Sequence, residues 1–117
     1  MTKYSRSGWH FQHIRHSKAK KYGKAGGIYL TKAKTKFEVK TVPTKILHDY
    51  AAMNHEAGNI LGFHPLPNKN EILIADDIHG KEKKKTIVHE VTEVLLMRKG
   101  LSYWEAHIKA LKAEKKV

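Results

Sequence analysis

The chain has 117 residues, no cysteine and a formal net charge of +12. That length suits one domain, and the missing thiols exclude a disulfide framework and every thiolate metal site. No stretch approaches the roughly 18 apolar residues of a membrane span, and the opening MTKYSRSGWHFQHIRHSK lacks the apolar segment of a secretory leader, so the expected location is cytoplasmic with no membrane partner.

The charge is unevenly spread. Residues 1–37 carry ten Lys or Arg and no acid, residues 38–80 carry −3, and residues 81–117 carry +5. The chain therefore divides into a basic, partly flexible arm over 1–36 and a compact α+β domain over 37–117. Within the arm, WHFQHIRHSKAKKY (9–22) reads as a short basic helix, and Gly23, Gly26 and Gly27 break it. Such an arm attracts polyanions. Arg6, Arg15, Lys18, Lys20, Lys21 and Lys24 are the expected contacts to nucleic acid, with Trp9, Phe11, Tyr22 and Tyr29 interleaved to stack on bases. No defined sequence reader is present, so such binding would be non-specific; a solvated tail accounts for the same composition.

Ile28-Tyr29-Leu30 reads as a brief strand, and Phe37–Val42 alternates apolar and polar as a half-buried strand does. Pro43 ends it. With Thr44 as N-cap, the spacing of Ile46, Leu47, Tyr50, Ala51, Asn54 and Ala57 predicts a helix over 45–58. A loop rich in Gly and Pro follows. Glu71–Ala75 is the clearest strand, closed by Asp76-Asp77, and Gly80–Lys85 reads as a charged turn. Ile87, Val88, Val91, Val94, Leu95 and Met97 predict a helix over 86–98, stopped by Arg98-Lys99-Gly100. Ser102 and Glu105 form a capping box for a last helix over 103–114, with Trp104, Ile108 and Leu111 as its core face. The sum is a small sheet packed against two or three helices, with a strand leading into the helix that carries the chemistry.

That chemistry is His89-Glu90-Val91-Thr92-Glu93. On a helix His89 and Glu93 stand at i and i+4 on one face, and Glu90 is turned about 100° around the axis. The short Gly100-Leu101 link makes the last helix an antiparallel neighbour. His107 then stands at a depth similar to that of Glu93 and completes a ligand set of two imidazoles and a carboxylate. Zinc accepts such donors in catalytic sites, one ion per chain here, and Glu90 is left as general base for a metal-activated water. Ala106 and Ala110 allow the helices to approach closely. Glu114 is placed to hydrogen-bond a ligand or to sit at the surface. Tyr103 either stabilises an oxyanion or covers the edge of the core. Asp76 and Asp77 either support the ligands or cap the next segment.

The run from Thr86 to Glu114 resembles small zincin-like metalloproteases of viruses, phages and integrated elements: H-E-x-x-E, an apolar turn, Gly, Tyr, Ala-His and a later Glu. The resemblance covers about 30 residues, or about 45 with the preceding strand. It implies His89, Glu93 and His107 as ligands, Glu90 as base, a peptide or protein substrate, and a host cytoplasmic location if the source is viral. Glu93 replaces the second histidine of the usual zincin motif, and the extra ligand charge makes the ion less electrophilic. The reading is a zinc metallopeptidase whose strand 71–75, if at a sheet edge, pairs with an extended substrate. The alternatives are a basic nucleic-acid-binding protein and a purely structural metal site.

Overall fold

The structure is a computed structural model describing residues 24–117. The basic helix expected over 9–22, and with it Arg6, Arg15, Lys18, Lys20 and Lys21, lies outside the described residues. Strands β1 (Lys24–Leu30), β2 (Lys36–Val42), β3 (Ala52–Asn54) and β4 (Glu71–Ala75) form one sheet in the order β1-β2-β4-β3. β2 and β4 are parallel; the other neighbours are antiparallel. Three helices complete the fold: α1 (His55–Leu61), α2 (Gly80–Arg98) and α3 (Tyr103–Glu114). The result is a small α+β globule. Its first strand begins at Lys24, within the acid-free segment.

Side chains alternate across the strands, so the sheet serves two cores. Phe37, Val39, Ala52, Ile72 and Ile74 pack with Val91 and Val94 of α2. Val42, Met53, Leu73 and Ala75 pack with Ile46, Leu47, Ala57 and Phe63. β4 is buried along its whole length, as an interior strand covered on both faces must be.

The structure corrects four expectations. The helix predicted over 45–58 is instead a series of turns, then β3, then α1. Residues 43–50 are closed by i→i+3 bonds, among them Ile46 N–H to Pro43 O and Tyr50 N–H to Leu47 O, and His48 has φ +57°. Ile46, Leu47 and Ala57 nevertheless reach one core, with Tyr50 packed against it, which is why their spacing imitates a helix. Second, α2 begins at Gly80, so the charged stretch before Thr86 is its first two turns. Third, β4 is interior and cannot take an extended peptide; β3 is the edge strand beside it. Fourth, α3 turns Ala106 and Ala110 inward and leaves Trp104, Ile108 and Leu111 exposed. Alanines let two helices come close, and the larger side chains cannot enter the narrow seam between them.

The ends of the last two helices follow the sequence. Gly100 takes φ +106° after Lys99, a conformation that costs a residue without Cβ little. Ser102 and Glu105 form the reciprocal capping box.

Candidate metal centre

α2 lies on the sheet through Val91 and Val94, which turns His89, Glu90 and Glu93 toward α3 and the β3 edge. α3 brings His107 and Glu114 to the same place. His89 Nε2 is 3.1 Å from Glu93 Oε2 and 3.2 Å from His107 Nδ1, and His107 Nδ1 is 2.9 Å from Glu93 Oε2. These three atoms form a near-equilateral triangle. An ion with tetrahedral bonds of about 2.0–2.1 Å has ligand–ligand edges of about 3.3–3.4 Å, so the triangle is one face of a zinc-sized polyhedron within a few tenths of an ångström. Among the described residues no other His, Cys, Asp or Glu group has metal-holding geometry.

The other ring nitrogen of His89 supports the same reading. Nδ1 lies 2.7 Å from Glu114 Oε1, so Nδ1–H donates to the carboxylate and Nε2, once it gives up its proton, points its lone pair at the triangle. A histidine fixed by a carboxylate in this way has the tautomer and orientation of a ligand. Glu114 therefore reaches the site, and it does so through His89.

A residue missed in the sequence organises the carboxylates. Asn54, at the end of β3 and fully buried, donates from Nδ2 to Glu90 Oε1 and Glu93 Oε1, each at 3.0 Å. Its Oδ1 accepts from Ala57 N–H at 2.8 Å and caps α1. Strand alternation puts Ala52 and Asn54 on the α2 side and Met53 on the other. The two carboxylates are thus divided alike: one oxygen of each is held by Asn54. The second oxygen of Glu93 is in the triangle, and that of Glu90 stands 3.9 Å from His89 Nε2. The available signal was an N-capping residue before His55, with Gly62 closing the helix at φ +68°.

Burial and charge set the proton affinities. Burial lowers that of His89, but Glu93, Glu90 and Glu114 outweigh it and push the imidazole up to about 9. Burial raises Glu90, and the charge of Glu93 adds to the rise. Burial also acts to raise Glu93, but hydrogen bonds from His89 and His107 bring it below its ordinary value. The Tyr103 phenol is raised well above the usual range by burial and by Glu93 and Glu90, so it stays a donor at neutral pH. Its ring packs 5.5 Å from that of His107.

The site opens into a cavity of about 580 Å³. Tyr50, Ala51, Ala52 and Met53 line one part of it, and Lys81, Lys85, Tyr103 and Glu114 are also in its wall. Asp76 and Asp77 are exposed in the turn after β4 and do not line it. His64 and His79 do not line it either. His55 is engaged elsewhere, with Nδ1 2.8 Å from Pro67 O. Lys24 opens β1, far in the sheet order from β3.

No protein-family model, curated protein sequence or solved structure matches this chain. No helix among the described residues is long and apolar enough to cross a membrane. His89, Glu93 and His107 are placed to hold a metal ion, and that much rests on their geometry alone.

Proposed function

We propose that the protein is a zinc-dependent hydrolase acting on peptides. The observation that carries the reading is the position of Glu90, a buried carboxylate with one oxygen tied to Asn54 and the other facing the ligand triangle. A structural site needs His89, Glu93 and His107; it has no use for a second carboxylate beside them.

Zinc, when bound by these residues, supplies Lewis acidity to a carbonyl oxygen and lowers the proton affinity of a water. Glu90 Oε2 takes the proton from the attacking water and returns it to the leaving amine. Its raised proton affinity suits a group that must first accept and then release a proton near neutral pH. Tyr103, protonated and in the cavity wall, donates to the oxygen that gains charge. Glu114 keeps Nδ1 of His89 occupied.

Edge strand β3 suits an extended substrate. Ala75 N–H donates to Ala51 O, so in the antiparallel alternation Ala51 and Met53 face β4, and the N–H and C=O of Ala52, a residue of the cavity wall, turn away from β4.

Metal analysis of protein purified without chelators tests the reading. We expect about one zinc per chain, lost in the His89→Ala/His107→Ala variant. Glu90→Gln should retain the zinc and abolish cleavage of a mixed quenched-fluorescent peptide pool. Protein without bound metal, or a Glu90→Gln variant as active as wild type, overturns it.

The acid-free +10 segment favours a second, compatible role, non-specific binding of nucleic acid. Because β1 starts at Lys24, the informative deletion is of residues 1–22. It should remove salt-sensitive binding to duplex DNA and leave zinc content unchanged; binding that survives refutes the arm's role.

A further inference from the structure

The cavity continues past the ligand triangle toward the start of α2. Lys85 and Lys81 precede His89 by four and eight residues and line the same cavity. At 1.5 Å per residue they lie about 6 and about 12 Å along the helix axis from the ligand. Neither ammonium group has an ion-pair partner among the described residues. Glu82 shares this stretch but is within ion-pair distance of neither lysine. The cavity is therefore polar in the electrical sense, with Glu90, Glu93 and Glu114 at the triangle and Lys81, Lys85 and Glu82, a net positive charge, toward the other end.

An extended peptide advances about 3.3 Å per residue. With its reacting carbonyl at the triangle, a peptide running along α2 brings its second residue level with Lys85 and its fourth near Lys81. We propose that Lys85 and Lys81 form a subsite for a substrate carboxylate two to four residues from the cleaved bond. The carboxylate belongs to an Asp or Glu side chain or to the end of the peptide. Neutral side chains gain nothing from these partly exposed ammonium groups, whereas a carboxylate gains an ion pair, so the lysines favour acidic peptides. This deepens the peptidase reading and rests on it.

The test uses zinc-loaded full-length protein and blocked alanine peptides carrying a hydroxamate, a metal-chelating group that fixes their register. One series has the hydroxamate at the C-terminal end and the other at the N-terminal end, so that both directions along the groove are sampled. Each series includes a neutral parent and members with one Asp at the first to fifth position; the second series is also made with free and amidated C-termini. Binding is read by fluorescence anisotropy. In one series, Asp at the second to fourth position should tighten binding about fivefold over the parent, as expected of two partly exposed ion pairs. Lys81→Glu/Lys85→Glu should abolish or invert that preference, read in each protein as the ratio of acidic-peptide to neutral-parent affinity. Lys112→Glu/Lys116→Glu, the same charge change outside the cavity, should leave the preference intact. A free C-terminus that acts only at those distances identifies the terminal carboxylate as the source; Asp that acts with the terminus amidated identifies the side chain. Equal binding of acidic and neutral peptides, or a loss reproduced by the Lys112/Lys116 control, overturns the subsite and leaves the peptidase reading standing. Failure of every hydroxamate to bind zinc-loaded protein overturns both.

Discussion

Asn54 satisfies three partners at once, and its orientation follows from them. Its oxygen must face Ala57 N–H, so its amide must face Glu90 and Glu93. Asn54→Ala removes an N-cap, worth about 1 kcal/mol, and leaves two buried carboxylate oxygens unsatisfied at about 1–3 kcal/mol each. We expect urea denaturation to show a loss of about 3–7 kcal/mol. Asn54→Asp keeps the cap but sets a third carboxylate against two others. It should destabilise the zinc-free protein at neutral pH, and saturating zinc should recover part of the loss. A zinc-free Asn54→Asp protein as stable as wild type would show that the amide does not hold the carboxylates. The contrast between Asn54 and the ligands also explains what the sequence discloses. His89, Glu93, His107 and Glu114 lie on two helices with a short link, so local periodicity brings them together. Asn54 is 36 residues before Glu90 and reaches it only because β3 is placed beside β4. That placement depends on strand order, which no local pattern encodes.

At the scale of elements, the site exists because α2 and α3 pack through alanine. Ala106 and Ala110 are fully buried, and their size sets how near His107 comes to Glu93. Ala110→Leu adds volume to a closed seam, which costs about 1–3 kcal/mol and pushes the helices apart. The ligand triangle has sides of only 2.9–3.2 Å, so that displacement should weaken zinc binding measured by chelator competition, by tenfold or more. Leu111→Ala, one residue on but exposed, should change stability by about 0.5 kcal/mol or less and leave zinc affinity alone. Equal effects of the two substitutions would place the controlling contact elsewhere. The apolar count along α3 favoured Trp104, Ile108 and Leu111 as the buried face, because hydrophobicity weighs a large side chain above a small one. Close helix packing inverts that weight. The turns of residues 43–50 show a related limit: apolar spacing records which residues enter a core, while the backbone path that delivers them depends on caps and turns.

Across the whole molecule, protons and the proposed metal would compete for one cluster of buried charge. In the zinc-free protein the carboxylates raise His89 to about 9 against an ordinary value of about 6.5, and Glu90 is raised as well. A group with a raised folded-state pKa binds its proton more tightly when folded. The stability contributed by His89 is therefore fully present below about pH 6.5 and is lost as pH rises through about 9. Glu90 acts in the same direction, its contribution fading as pH rises through its raised value. Glu93 is lowered and acts oppositely: its contribution is present above the ordinary carboxylate range and disappears in acid. Thermal unfolding of the zinc-free protein should thus show a falling Tm between pH 6.5 and 9. The proposed zinc would require His89 to give up its Nε2 proton, so its binding should release that proton and strengthen as pH rises. With zinc in fixed excess, the stability difference between loaded and zinc-free protein should widen by about 1.4 kcal/mol per pH unit for the one proton displaced, levelling near pH 9. A difference that stays constant over this range would mean that zinc, if bound, does not displace the His89 proton. The same measurement on His107→Ala should show the zinc-free decline persisting while the zinc-dependent difference collapses, because Glu93, Glu90 and Glu114 still surround His89 after the third ligand is gone.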